Sequence, residues 1–350
     1  MITRARILIA STIATSLAVG GAAAVSAPAG ADGKPNVVVW SRFVDQNFSA
    51  ARIVLARNHD GHVRELTHSS NGVVDIDPQV SPDGRLVAFE RDLPDGTSQI
   101  GLVATNGSGE RILRLGCTSS CVAVVTPTWT PDGRHLVFTR VVGPFDQVNE
   151  SATSAVLWRA DLHGSTPRRV SQPGIDGRYE DYKASFRHDG DLIFVRVRNS
   201  DIHSAVFRMH PDGSGLRQLT DWSLDADLPS VSPADEGPTR NLVVFETYGQ
   251  GAPAGAVQQV ATVPSNCHTL TECSRQVRYL TPSRPPVENF NPAWSPTGRS
   301  IAYVRFIPGD PTTPPLGDIW TMNWNGRHKT PFSQSPLFEF RPAFGSTSDR

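Results

Sequence analysis

Short runs in which apolar and polar residues alternate recur along this chain, each bounded by Gly, Pro, Asp or Ser. In "PQVSPDGRLVAFER", from Pro78, an apolar strand runs into a Ser-Pro-Asp-Gly turn and a second alternating strand leaves it, the pattern of a β-hairpin. Near copies begin at Pro127 ("PTWTPDGRHLVFTR"), Ala184 ("ASFRHDGDLIFVRV"), Pro229 ("PSVSPADEGPTRNLVVFE"), Pro292 ("PAWSPTGRSIAYVR") and, truncated, Pro342 ("PAFGSTSD"), at intervals of 45 to 63 residues. A second pattern follows each hairpin, as in "RIVLARNHDGHVRELT" from Arg52, "QIGLVATNGSGERILRL" from Gln99, "AVFRMHPDGSGLRQLT" from Ala205 and "DIWTMNWNGRHKTPFS" from Asp318. The two patterns make four strands per unit, and six units account for nearly the whole chain after residue 31. No long stretch places apolar residues at i, i+3, i+4 and i+7, so few helices are expected. The predicted fold is all-β, a six-bladed β-propeller with four antiparallel strands per blade.

The two ends complement each other. The last copy stops after one strand, near Phe344, while "VVVWSRFVD" from Val37 matches the "LVAFERD" half of a hairpin and has no turn sequence before it. The N-terminal three strands are therefore expected to pair with the C-terminal strand and finish one blade, closing a ring that leaves no free sheet edge. Ahead of them, Arg4 and Arg6 precede an uncharged apolar run from Ile7 to Val19, and Ala29-Gly30-Ala31 offers a small-x-small cleavage site. Residues 1–31 read as a signal peptide, and residues 32–350 as one propeller domain secreted into the cell envelope or beyond. The apolar run is too short to span a bilayer, and no Cys follows it to carry a lipid.

"PAWSPTGRSIAYV", "PTWTPDGRHLVFT" and "DGSGLRQLT" resemble the repeats of the TolB-like six-bladed β-propellers, over about residues 37 to 345. The likeness departs from the pattern at the longer "SPADEGPTRN" turn and at "ASFRHDG", which lacks the leading Pro. It implies a secreted propeller used for binding. The small α/β module that precedes the propeller in TolB is not expected here, because the first strand begins almost at the mature terminus.

Charge and cysteine content narrow the partners. The formal net charge of −1, with Lys and Arg scattered, points away from nucleic acid. The four cysteines form two close pairs, Cys117 with Cys121 and Cys267 with Cys273, expected to be local disulfides in an exported protein. A protein or envelope component is the expected partner, and a monomer the expected state.

Catalytic signatures do not emerge. The sequence holds neither G-x-S-x-G nor H-E-x-x-H, and His59, Asp60 and His62 fall in a predicted hairpin turn. The glycine-rich "NGSGE" and "DGSGL" fall where the repeat needs a turn rather than opening a helix. Acidic residues, however, gather before the innermost strand of five blades: Asp75 and Asp77, Glu180 and Asp181, Asp225 and Asp227, Glu288, and Glu339. The sixth offers Val124, Val125 and Thr126 instead. Ringed around one channel mouth, such carboxylates would take a metal ion, with Ca²⁺ the candidate cofactor, or a Lys- or Arg-bearing peptide; alone they are solvated turn residues. Tyr179, Tyr182, Trp222 and Phe290 lie near the same rim, as contact surface or packing. A non-catalytic binding module is the leading expectation, and a metal-dependent propeller enzyme, lactonase- or polysaccharide-lyase-like, the alternative. The loops Val141 to Thr153 and Pro308 to Gly317 are expected to be surface decoration or recognition elements.

Overall fold

The computed structural model describes residues 36–57, 62–117, 121–143, 154–163, 167–173, 177–249, 257–310 and 313–346. Residues 1–31, which the sequence predicts to be a signal peptide, as well as His59, Asp60 and most of the loop from Val141 to Thr153, lie outside the described residues.

The chain is all-β, laid down as antiparallel meanders whose fourth strand is only two or three residues long. Three meanders are separate four-stranded sheets, led by the strands Tyr179–Phe186, Asp227–Val231 and Glu288–Trp294. The remaining strands form a 12-stranded sheet, in which single parallel bridges at Ala51–Val74 and Ser98–Ala123 join neighbouring meanders. The two meanders that follow these bridges are led by Val74–Val80 and Cys121–Trp129. The last strand, Glu339–Ser346, pairs antiparallel with the first, Asn36–Phe43, as the complementary ends predict.

The turns form as their residues require. At Ser81-Pro82-Asp83-Gly84, the Gly84 amide donates to the Ser81 carbonyl at 2.8 Å with Gly84 at φ +74°, a conformation a side chain would disfavour. The Ser81 hydroxyl donates to Asp83 at 2.6 Å and accepts from the Leu86 amide at 2.9 Å, which fixes the departing strand.

Alternation along each strand buries both faces, because each meander packs between two others. In the first strand, Val37 and Val39 pack with Val87, Phe89 and Val103 of the following meander, while Val38 and Trp40 pack with Ala302, Val304 and Ile319 of the last one. Gly101 is required where a Cβ would lie 2.2 Å from the Phe89 ring of the paired strand. Helical structure among the described residues is limited to a 3₁₀ turn, Trp222–Leu224, and one α-helix, Leu270–Arg275. That helix, capped by the Thr269 hydroxyl, carries Cys273, whose disulfide to Cys267 ties it to the core beside Val263. Cys117 and Cys121 form the second disulfide. No helix among the described residues is long and apolar enough to cross a membrane.

Candidate functional site

Each meander's lead strand packs against the lead strands of its two neighbours, and Glu339–Ser346 packs against both Glu288–Trp294 and Val74–Val80. The acidic residues singled out in the sequence lie at the start of these strands or, for Asp225, two residues before one, and the structure gives them different surroundings.

Asp75, Asp181 and Glu339 are fully buried, and each meets an arginine directly opposite on the second strand of its own meander. Asp75 takes Arg91 through two bonds of 2.7 and 2.8 Å, and Asp181 takes Arg196 through two of 2.7 and 3.0 Å. Glu339 accepts from Arg42 at 2.6 Å, from the Trp40 indole at 2.9 Å and from the Ser333 hydroxyl. A buried carboxylate survives only with such partners, and the planar guanidinium satisfies both oxygens at once. Burial still pushes the Asp75 and Asp181 carboxyls above their ordinary values, against the pull of their arginines. Arginine occupies this register in five meanders, as Arg42, Arg91, Arg140, Arg196 and Arg305. Opposite Arg140 stands Val124, so that side chain donates to the Leu115 carbonyl at 2.9 Å and lies over Trp158, 4.5 Å from the ring centre.

Other predicted site residues have local duties. Glu180 accepts from the Tyr182 hydroxyl and from Asn199 at 3.0 Å. Asp225 ends the 3₁₀ turn and accepts from the Ser204 amide and hydroxyl, both at 3.1 Å. Glu288 is half-buried, which raises its pKa. Tyr179 stacks on Trp222 with centroids 6.1 Å apart, and Phe290 packs against Phe306. The carboxylates are thus not gathered into one ring, and among the described residues no three His, Cys, Asp or Glu side chains are disposed to hold a metal ion. The six to eight oxygen ligands that calcium requires are not assembled by these residues.

A second set does converge. In every lead strand the register slips by a bulge, and at that point one non-glycine residue adopts left-handed φ: Asp77 (+51°), Thr126 (+52°), Lys183 (+48°), Leu228 (+48°), Asn291 (+51°) and Arg341 (+55°). Such a backbone costs about 1–3 kcal/mol per residue and persists only where its surroundings hold it. A Pro follows five of the six and Ala184 the other. Proline has no amide to offer the ladder, so it sits comfortably at a bulge, while its preference for an extended residue before it makes the left-handed φ there something the surroundings must hold. The freed bulge amides find partners in neighbouring meanders. Thr126 N donates to Glu90 at 2.9 Å, Lys183 N to the Thr126 hydroxyl at 3.3 Å, Asn291 N to Glu246 at 2.7 Å and Arg341 N to the Asn291 side chain at 3.1 Å.

The bulges open a cavity of about 80 Å³ between the lead strands. Asp77, Lys183, Leu228, Asn291 and Arg341 line it together with Pro78, Ala184, Pro229, Pro292 and Pro342, which follow them. Lys183 Nζ lies 2.7 Å and Arg341 Nη1 3.5 Å from the same Asp77 oxygen. Burial alone would raise the Asp77 pKa, but Arg341 and Lys183 outweigh it and hold the carboxyl below its ordinary value. Around this trio Glu90, Asp227 and Glu246 are pushed upward, chiefly by burial and then by neighbouring carboxylates, Glu246 to about 7.

Of the predicted residues, Asp77 therefore lines the cavity and Asp227 lies close to Arg341, while Asp75, Asp181 and Glu339 are bound within their own sheets. Sequence reasoning missed Lys183, Arg341, Asn291, Glu90 and Glu246. The position just before each lead-strand Pro, or before Ala184, would have identified the first three.

No family model matches the chain. Over 238 residues it is 24% identical to the uncharacterized protein Atu1656 of Agrobacterium fabrum, covering 66% of this chain and 70% of that one. The solved structure of TolB from Acinetobacter baumannii matches 89% of this chain with a TM-score of 0.62 at 16% identity, and this chain covers 66% of that one. Hydrazine synthase of Kuenenia stuttgartiensis matches 92% with a TM-score of 0.65 at 13% identity, and here the chain covers 47% of its counterpart. The fold is that of a TolB-like β-propeller.

Proposed function

We propose that this protein is an exported, non-catalytic binding propeller of six blades that holds a ligand or protein partner in the channel between its lead strands. Ring closure is supported by the pairing of Asn36–Phe43 with Glu339–Ser346 and by the unbroken circuit of contacts among the lead strands. Export is supported by the two disulfides, which persist in oxidising compartments. The observation that carries the binding role is the set of six strained bulges, five of which present a side chain to one cavity. Strain concentrated at one place and held from all sides marks a position kept for contact rather than for packing.

The test is site-specific photo-cross-linking of the full chain expressed in cells. A cross-linking residue at Gln79, on the cavity wall, is expected to give a discrete adduct that Lys183→Glu abolishes. The same probe at Tyr279, which is 45% exposed on an outermost strand, is expected to give none. Equal adducts from both positions, or adducts from Tyr279 alone, would overturn the assignment.

A further inference from the structure

The two disulfides stand in opposite surroundings. Cys267 and Cys273 are 2% and 0% exposed and belong to a core cluster. Cys117 is exposed and Cys121 only half-buried. This second pair lies where the connection from the short outer strand Arg111–Ile112 enters the lead strand Cys121–Trp129. An exposed disulfide is open to attack by a thiolate, whereas a buried one reacts only when the fold opens around it.

The repeat also departs from its pattern here. Arg140 occupies the register that Arg42, Arg91 and Arg196 use to hold a buried acid, but Val124 stands opposite it, and among the described residues no carboxylate pairs with it. Burial lowers the Arg140 pKa with no anion to offset the effect. Its Nη2 donates to the Leu115 carbonyl at 2.9 Å and to that of Gly116, the residue before Cys117. Gly116 permits this approach, since a Cβ there would lie 3.3 Å from Nη2. Cys121 packs against the same cluster as Trp158, the ring over which Arg140 lies. On the connection itself Arg111 and Arg114 are exposed, while Glu110 is taken by Arg91. The pair thus borders a guanidinium that no described carboxylate neutralises, a setting that draws an anionic nucleophile and steadies a departing thiolate.

We propose that Cys117–Cys121 is a thiol-exchange site for an anionic low-molecular-weight thiol. Because Cys121 is half covered, the incoming thiolate attacks the Cys117 sulfur. The S–S bond breaks, Cys121 leaves as a thiolate, and Cys117 carries the mixed disulfide. This step trades one disulfide for another and needs no oxidant. A second thiolate, attacking the small-molecule sulfur, releases Cys117 as a thiolate, so that two thiols are oxidised to their disulfide and the protein pair is reduced. Arg140 is a positioning residue in this scheme. Asp75, Asp181 and Glu339 pin the heads of their strands through arginine, whereas this strand is pinned by a bond that a thiol opens. The site shares no residue with the cavity wall and does not depend on what the cavity holds.

The folded protein is incubated with anionic mercaptoethanesulfonate, neutral mercaptoethanol or cationic cysteamine at matched thiolate concentrations, quenched with acid, alkylated and mapped by mass spectrometry. Cys117 and Cys121 are expected to open at least tenfold faster than Cys267 and Cys273, with the mixed disulfide on Cys117. The anionic thiol should react several-fold faster than the cationic one. Arg140→Met should remove most of that preference, and Arg140→Lys should keep it. Equal rates at the two disulfides, a mixed disulfide on Cys121 alone, or a charge preference unchanged in Arg140→Met would overturn the proposal. The comparison of the two disulfides is made within one molecule, so it stands whether or not a variant folds.

Discussion

Asp75, Asp181 and Glu339 are each neutralised by an arginine directly opposite in the same meander, whereas Asp77, two residues beyond Asp75, takes its cations from two other meanders. The first kind of pair is saturated: both carboxylate oxygens are occupied and the acid is fully buried in the sheet. Such a pair fixes register, since a slip of one residue would turn the acid and the arginine to opposite faces. The second kind is shared, with two cations from different meanders meeting one carboxylate oxygen. The same residue types, two positions apart, thus lock one sheet together in one case and join three meanders around a cavity in the other. What separates them is the bulge, which turns Asp77 away from its own sheet and toward the common cavity.

The comparison breaks most severely if a saturated pair is halved. Asp181→Ala leaves Arg196 buried without its anion and is expected to cost about 3–5 kcal/mol in denaturant unfolding. Arg91→Met, which strands Asp75, should fall in the same range.

A smaller effect should appear as a pH dependence behind the cavity. The Glu246 carboxyl is raised from 4.5 to about 7 in the folded protein, chiefly by burial and next by Asp227. Below about pH 4.5 it is protonated whether folded or unfolded. Between there and about 7 the unfolded chain ionises first, so stability falls as pH rises, and above 7 the loss is complete. Glu246→Gln keeps an acceptor for the Asn291 amide and should remove that slope, gaining roughly 2–3 kcal/mol at pH 8 and nothing at pH 4. Thermal melts across this range read the difference, and an unchanged slope in the variant would place the titration on another group.

The smallest change is expected at the arginine that has no acid. Arg140→Met gives up the stacking on Trp158 and a hydrogen bond to Leu115, but strands no buried carboxylate, and should cost about 1 kcal/mol or less. If Arg140→Met proved as damaging as Arg91→Met, the opposed acid would not be what makes these pairs matter.

The meanders, their turns, the pairing of the terminal strands and both disulfides were legible in the sequence. Each depends on neighbours in the chain or on a repeated pattern: Ser81 to Gly84 encodes its own turn, and "VVVWSRFVD" declares itself half of a hairpin. The acids were legible as a set, but their partners were not. Arg91 and Arg196 stand in the repeat in plain view, yet that they meet Asp75 and Asp181 follows from the register of two strands. The cavity was further from sight. Lys183 reaches Asp77 across 106 positions of sequence, and no local pattern reports a contact of that length.

The sequence by itself therefore determined the repeating β architecture, because turn chemistry and period-two alternation act over a few residues and are repeated often enough to be counted. Only the tertiary structure decided which of the acidic residues are paired within their own sheet and which face the cavity. That depends on six strand bulges that release one residue each from its ladder, and on sheets distant in sequence being brought together, so that Asp77, Lys183, Asn291, Trp294 and Arg341 share one wall.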